Sequence, residues 1–399
     1  MMVATVCGGV FMWAVHLFSK AIPASEYGTF VTLLSVVNLI PTLPLQMVFT
    51  QQTALAEATG RSAQLSGLIR YAWLGIVICG ALGAAALWHF ESAIMTRWNL
   101  ANPAALIGLL VVILLSLLWP VFAGLMQGRQ NFKWLGWCSI LNGAGRIVSA
   151  ALIVLVWHGY ATGIMVGVAL GLLLACAAGA WQTRRAWQVI PGPFDRQIIT
   201  RHIAPLMLGF VATQFLFSAD TVYVNAYFGA ERTASYGAAG TLSRALLWLV
   251  LPVAGVMFPK IVHSTATAQK SSLLGLALLA TGGLAVCGFL GLWLLGPWLV
   301  PLIFLPAYSS GTLEVLPWYA GAMLPLALGN LLVNDLLARS QFKIVPALVI
   351  VAAGYGLALT RFHDSPTMIL QLLGGFNLLL LAVCAWFVWG RQKPAALAG

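Results

Sequence analysis

Apolar residues run through this chain in blocks of about 20, separated by short clusters of charge, Pro or Gly. About 20 residues at 1.5 Å each cross the hydrocarbon of a bilayer, so the blocks predict membrane-spanning helices. The first half reads as spans at 1–20, 28–54, 67–89, 104–126, 134–157 and 161–182, and the second at 203–228, 234–258, 272–298, 313–337, 344–361 and 367–390. The prediction is an all-α, polytopic integral membrane protein of about 12 transmembrane helices. The opening stretch, Met2 to Phe18, has neither the basic leader nor the small-residue cleavage site of a signal peptide and reads as a retained first helix.

Two short patterns recur at nearly one spacing. Ala24-Ser25-Glu26-Tyr27-Gly28 opens a span that contains Pro41 and Pro44, and Thr233-Ala234-Ser235-Tyr236-Gly237 opens one that contains Pro252. Arg129-Gln130-Asn131-Phe132-Lys133, after the fourth span, pairs in the same way with Arg339-Ser340-Gln341-Phe342-Lys343, after the tenth. Two matches in equivalent loops predict a six-plus-six duplication. An even number of helices returns the chain to its starting side, so the halves share one orientation, related by an axis along the membrane normal with a cleft between them. The expected domains are an N-terminal six-helix lobe at 1–182, a cytoplasmic linker at 183–202 containing Pro191-Gly192-Pro193, and a C-terminal six-helix lobe at 203–399 with a short cytoplasmic tail.

Composition agrees with the pattern: 61% of residues are hydrophobic and 7% charged, against roughly a quarter charged in a soluble domain. Basic residues decide the orientation, because they resist translocation. With the N-terminus inside, fourteen of the 20 Lys and Arg fall on the cytoplasmic side and only Lys20, Arg97, Arg232 and Arg361 on the other. Both termini are therefore expected in the cytoplasm. The formal charge of +11, strung along one rim, suits anionic membrane lipids and not nucleic acid.

Charges inside a membrane are costly and face a partner or a wet cavity. Four are read as embedded: Arg146, Asp220, Arg244 and, toward the inner end of its span, Asp335. Counted from the turn near Glu231, Asp220 and Arg244 lie at similar depth on neighbouring antiparallel helices and are expected to pair; Arg146 lies at a matching depth in the other half. One reading makes the arginines a cationic site for a phosphorylated substrate. The other makes Arg244 and Asp220 a helix lock, with Arg146 capping carbonyls. Asp335 is expected to be solvated or paired with Arg339. Intramembrane amides extend the candidate substrate site to Asn38, Gln46, Gln214 and Asn330, with Gln51, Gln52, Ser218, Asn225 and Asn334 nearby, though such groups also serve as interhelical glue. Asp220, Asp335 and His16 are the candidate coupling groups for H+ or Na+, and no other cofactor or metal is implied.

The six cysteines all lie in apolar runs without CxxC spacing and read as buried thiols. Trp98, Trp119, Trp134, Trp137, Trp157 and Trp181 fall at predicted helix ends, as an aromatic belt does. No Walker loop, GxSxG, HExxH or long outward loop is present, which argues against an ATP-driven pump or membrane hydrolase and leaves a carrier that uses an existing gradient.

The Ser25-Glu26-Tyr27-Gly28 segment, the Gln127-to-Phe132 loop, the Asp220 helix followed by Ala234-Ser235-Tyr236-Gly237, and Phe258-Pro259-Lys260 together resemble bacterial polysaccharide flippases. These belong to the multidrug/oligosaccharidyl-lipid/polysaccharide (MOP) exporter superfamily, with multidrug extruders and lipid II flippases. The resemblance implies two six-helix lobes in a V. It implies a monomer that carries undecaprenyl-pyrophosphate-linked oligosaccharide from the cytoplasmic to the periplasmic leaflet of the bacterial inner membrane, beside other polysaccharide assembly proteins. A multidrug or cation antiporter of the same superfamily is the second expectation, and it would show an acidic residue inside a first-lobe helix. An intramembrane polysaccharide polymerase or ligase is the third, and it would show a long outward loop rich in Arg and His. Neither feature is found.

Overall fold

A backbone in hydrocarbon must satisfy its own polar groups, and this one does so with helices, with no strand among the described residues. The computed structural model describes residues 2–98, 100, 102–193, 197, 201, 203–266 and 273–390. Positions 194–196, 198–200 and 202 of the expected linker, the tail at 391–399, Lys270 and the Lys260 side chain lie outside them. The elements are α1 (Met2–Ala14, continued as a 3-10 turn through Val15–Lys20), α2 (Ala24–Asn38), α3 (Thr42–Thr59), α4 (Ser62–Trp98), α5 (Ala104–Gly128) and α6 (Phe132–Leu155). They continue with α7 (Tyr160–Trp187), α8 (Ala204–Ala266), α9 (Leu273–Ile303), α10 (Pro306–Ala338), α11 (Val345–Arg361) and α12 (Pro366–Ala385, ending in a π turn, Trp386–Gly390).

Among the described residues ten helical stretches are long and apolar enough to cross a membrane. One of them, Ala204–Leu247, has 44 residues, about 66 Å at 1.5 Å per residue, twice the hydrocarbon thickness. It holds the two passes expected at 203–228 and 234–258, with the break at Gly229, whose φ of 82° and ψ of 170° only glycine adopts readily. The first pass, Met2–Lys20, is part α-helix and part 3-10 helix. The twelve-pass layout is consistent with these elements.

Several boundaries differ from expectation. The second span is two helices, α2 and α3, because Pro41 cannot donate to the preceding turn and restricts Ile40 before it. α4 has 37 residues where 67–89 was expected, because the polar residues flanking its apolar block are tolerated in a helix and nothing inside breaks it. α7 runs on through Trp187, five residues into the expected linker, with Arg184 and Arg185 in its last turn at the negative end of the helix dipole. Three of the six cysteines are buried as expected (Cys138, Cys176, Cys384), whereas Cys7, Cys79 and Cys287 are exposed. An apolar residue on a bilayer-facing surface has no need of protein cover.

The chain divides into two compact units. Unit 1 comprises Met1–Met207 with Phe228–Ala234 and Ile303–Leu305; unit 2 comprises Leu208–Tyr227, Ser235–Leu302 and Pro306–Gly399. In unit 1, Gly163, Gly167 and Gly171 form a stripe along α7 that lies directly on α6. A Cβ at Gly167 would stand 2.7 Å from the Ala150 nitrogen, and one at Gly171 2.4 Å from the Asn142 oxygen and 2.7 Å from the Arg146 nitrogen. Small residues at this spacing are how helices approach closely in lipid. α3 and α5 meet likewise, at Gly124 and Gly128. In unit 2, Asn377 of α12 donates to the Ala322 carbonyl of α10 at 2.8 Å.

The duplicated loops have duplicated geometry. Gln130 (φ 58°) and Ser340 (φ 56°) are both left-handed. The amide of Asn131 bonds the Met126 carbonyl at 2.8 Å and that of Gln341 the Leu336 carbonyl at 2.9 Å, each a six-residue helix-ending loop. Residue for residue, these positions are related by the spacing seen in the sequence.

Candidate functional site

Arg146 in unit 1 and Arg244 in unit 2 both lie well inside membrane-spanning helices, and their surroundings are opposite in kind. In unit 2, α8 carries Asp220 before its break and Arg244 after it, and the fold brings them together. Arg244 Nη2 donates to Asp220 Oδ1 at 2.9 Å and to the Thr221 hydroxyl at 2.8 Å, while its Nε donates to the Phe217 carbonyl at 3.0 Å. Asp220 Oδ2 accepts from the Tyr236 hydroxyl at 2.9 Å and from Tyr319 of α10. The guanidinium carbon lies 5.4 Å from the Phe217 ring centre and 5.5 Å from that of Tyr319. Asp220 is wholly buried and Arg244 only 7% exposed. This is a closed electrostatic unit. The carboxylate has donors on both oxygens, and the cation is neutralised where it stands.

Arg146 of α6, in unit 1, has no such company. It is half-buried, its Nε is covered, and it makes no hydrogen bond or ion pair with any described residue. One turn earlier on the same face, Asn142 donates to the Met12 sulfur at 3.6 Å, and its Oδ1 is covered and unbonded among the described residues. The close seat of Gly171 against Asn142 and Arg146 fixes this stretch of α6 from the α7 side.

The remaining candidates scatter among structural partnerships. Gln46 of α3 donates to Gln127 of α5 at 2.8 Å, with Thr50 also on that oxygen, so it ties two helices. Asn330 accepts from Asn334 one turn on, through its backbone carbonyl at 2.7 Å. Asn38 and Gln214 are half-buried on α2 and α8. Asp335 is 6% exposed and takes both Nε and Nη2 of Arg339 at 2.9 Å, an i,i+4 pair on α10. His16 is buried with its Nδ1 2.9 Å from the Tyr27 hydroxyl, in an aromatic nest with Phe30 and Trp13. Among the described residues no three His, Cys, Asp or Glu side chains gather closely enough to hold a metal ion.

Sequence reasoning missed Tyr236, Tyr319 and Thr221 as parts of the Asp220–Arg244 unit. Tyr236 carried a signal, since it sits in the duplicated Ala-Ser-Tyr-Gly segment, and its counterpart Tyr27 likewise turns its hydroxyl to a titratable group, His16. Tyr319, 99 residues from Asp220 in sequence, carried none.

No protein-family model matches the chain, and no curated protein matches it in sequence. In three dimensions it is similar to a multidrug resistance MATE family transporter of the MOP superfamily in an inward-facing conformation, with TM-score 0.75 and 13% identity over 96% of this chain and 94% of that one. It is similar to the lipid II flippase MurJ in an inward closed conformation, with TM-score 0.67 and 15% identity over 97% of this chain and 86% of that one. A MOP superfamily transporter from Pyrococcus furiosus, described as having a binding pocket of reversed polarity, matches with TM-score 0.62 and 11% identity over 98% of this chain and 93% of that one. The chain therefore has the fold of the MOP superfamily transporters, whose solved examples include both a drug exporter and a lipid flippase.

Proposed function

We propose that the chain flips an anionic lipid-linked glycan, of the undecaprenyl-pyrophosphate-linked oligosaccharide class, from the cytoplasmic to the periplasmic leaflet by alternating access. Its place would be the bacterial inner membrane and its pathway the assembly of surface polysaccharide. The observation that carries this reading is the isolation of Arg146: a guanidinium in a membrane-spanning helix with no counter-ion among the described residues. An arginine at mid-membrane costs about 2.5–3.5 kcal/mol on insertion scales, and a phosphate forked by its Nη groups offsets that cost.

A drug or cation exporter would use an uncompensated carboxylate instead. In unit 1 the described acids stand near helix ends or at the α8 break: Glu26 in the first turn of α2, accepting from the Ala161 amide at 3.1 Å, Glu57 late in α3, paired with Arg129 at 2.7 Å, Glu91 late in α4, and the exposed Glu231 just after Gly229. In unit 2 both embedded aspartates already hold an arginine. Glu314 of α10 is exposed near that helix's start, so among the described charges buried or half-buried well inside a span it is Arg146 that lacks a counter-ion. Asp220, Asp335 and His16 remain the candidates through which a proton or sodium gradient would drive the cycle.

The test is binding and transport by Arg146 variants. Purified wild type should bind undecaprenyl pyrophosphate in preference to undecaprenol and to a lipophilic cation. Arg146→Ala should lose about tenfold or more of that preference, about 1.4 kcal/mol, with Arg146→Lys intermediate. In a host whose surface glycan depends on the protein, Arg146→Ala should abolish the glycan at unchanged protein level. Normal glycan with Arg146→Ala, or a wild type that prefers the cation, overturns the proposal.

A further inference from the structure

Unit 2 carries an apolar groove that none of the site residues enters. Its volume is about 430 Å³, within the ~300–1,000 Å³ of small-molecule sites. α9 lines it with Leu278, Leu279, Gly282 and Gly283, α10 with Leu328 and Leu332. α12 closes it with Leu381 and Ala385, and Trp389 stands at its mouth.

Two features set this groove apart from a smooth lipid-facing surface. One is its glycine pair. A Cβ at Gly283 would meet nothing within 4 Å, and one at Gly282 only the tip of Leu328 at 3.7 Å. Helix packing does not require a missing side chain at Gly283, and its absence leaves the groove open. Between Leu278–Leu279 and Gly282–Gly283 the wall rises and falls over one turn, about 6 Å.

The other feature is a charged rim. Short connections join α10 to α11 and α11 to α12, so the C-terminal ends of α10 and α12 lie together, beside the N-terminal end of α9. Along α10, Leu328, Leu332, Asp335 and Arg339 follow one another at i, i+4, i+7 and i+11, a single helical stripe. The face that floors the groove therefore continues into the Arg339–Asp335 pair, with Arg339 30% exposed and the exposed Lys343 following. Trp389, half exposed at the same end, marks the depth of a membrane interface. The groove thus runs from an interfacial rim, where the Arg339–Asp335 ion pair is followed by the exposed Lys343, into the apolar interior.

We propose that this groove seats the isoprenoid tail of a polyprenyl phosphate, with the anionic head at the level of Lys343, beside the Arg339–Asp335 pair. It is a docking position on the outer surface of unit 2, distinct from the Arg146 site. The inference rests on the lipid-linked reading above for the identity of the lipid, and it adds where the tail is held.

The experiment is photolabelling of the full chain in nanodiscs with two probes, a polyprenyl phosphate and a phosphatidylglycerol, each with a diazirine on its hydrocarbon. The polyprenyl probe should label peptides 278–283 and 381–389 about tenfold more than the phospholipid probe. Gly283→Phe, which fills the groove from a position where a Cβ meets nothing, should abolish that excess. Gly283→Ala, which leaves the groove open, should keep it. Equal labelling of the wild type by both probes, or undiminished labelling of Gly283→Phe, overturns the groove assignment. Arg146→Ala separates the two proposals: retained groove labelling with transport lost supports both, and equal labelling by both probes with Arg146-dependent transport intact sinks the groove alone. Retained labelling with transport intact sinks the Arg146 reading and leaves the groove standing.

Discussion

Asp220 and Arg244 show what a buried ion pair in a membrane helix requires beyond a partner of opposite sign. Arg244 bonds a carbonyl and a threonine as well as the carboxylate, and Asp220 takes two tyrosine hydroxyls. Removing one member leaves an uncompensated charge, so Asp220→Ala and Arg244→Ala should each cost about 3–5 kcal/mol in thermal or denaturant unfolding in detergent. Tyr319→Phe removes one charged hydrogen bond and should cost about 1.5–3 kcal/mol. Exchanging the pair, Asp220→Arg with Arg244→Asp, should recover only part of the loss. The tyrosines and the Phe217 carbonyl would then face the wrong group, and complete recovery would mean that they contribute nothing. The pair itself was legible by counting residues from the turn near Glu231. That it is satisfied was not, because Tyr319 comes from a helix that only folding brings alongside.

At the scale of elements, Arg146 is placed by the close packing of glycines against the backbone of its own helix. The Gly163, Gly167 and Gly171 stripe lets α7 lie so close to α6 that any side chain at Gly171 meets the backbone of Asn142 and Arg146. Backbone cannot swing aside as a side-chain tip can. Gly171→Val should therefore force the two helices apart, costing about 1–3 kcal/mol and lowering substrate binding in parallel with stability. A variant of unchanged stability and binding would show that the contact is soft. Glycines at four-residue spacing were visible in the sequence, but a glycine-rich apolar helix faces lipid as readily as protein. The structure identifies α6 as the helix it meets. The break between α2 and α3 was readable from Pro41 because proline acts locally, whereas the extra length of α4 was not, since no residue inside that helix announces an end.

For the whole molecule, the asymmetry of Lys and Arg predicts which side each loop occupies. In a background with the native cysteines replaced, Gln341→Cys should react with a membrane-impermeant maleimide only in inverted vesicles, and Asp364→Cys only in intact cells. The opposite result would reverse the topology and the direction of transport with it. Hydrophobic blocks, basic-residue bias and duplicated loops are properties of the chain read in order, because insertion into a bilayer responds to local composition. They determined that this is a helical membrane protein, and they set the expectation of a repeated plan with embedded charges at matching depth. Asp335 finds Arg339 one turn away, and the Asp220–Arg244 pair was countable from the turn, but how fully each charge is satisfied depends on side chains such as Tyr319 that only folding brings within a few ångströms. Tertiary structure alone decided that Tyr236, Tyr319 and Thr221 complete the Asp220–Arg244 pair while Arg146 has no counter-ion among the described residues, and that three separate helices leave a glycine-lined groove.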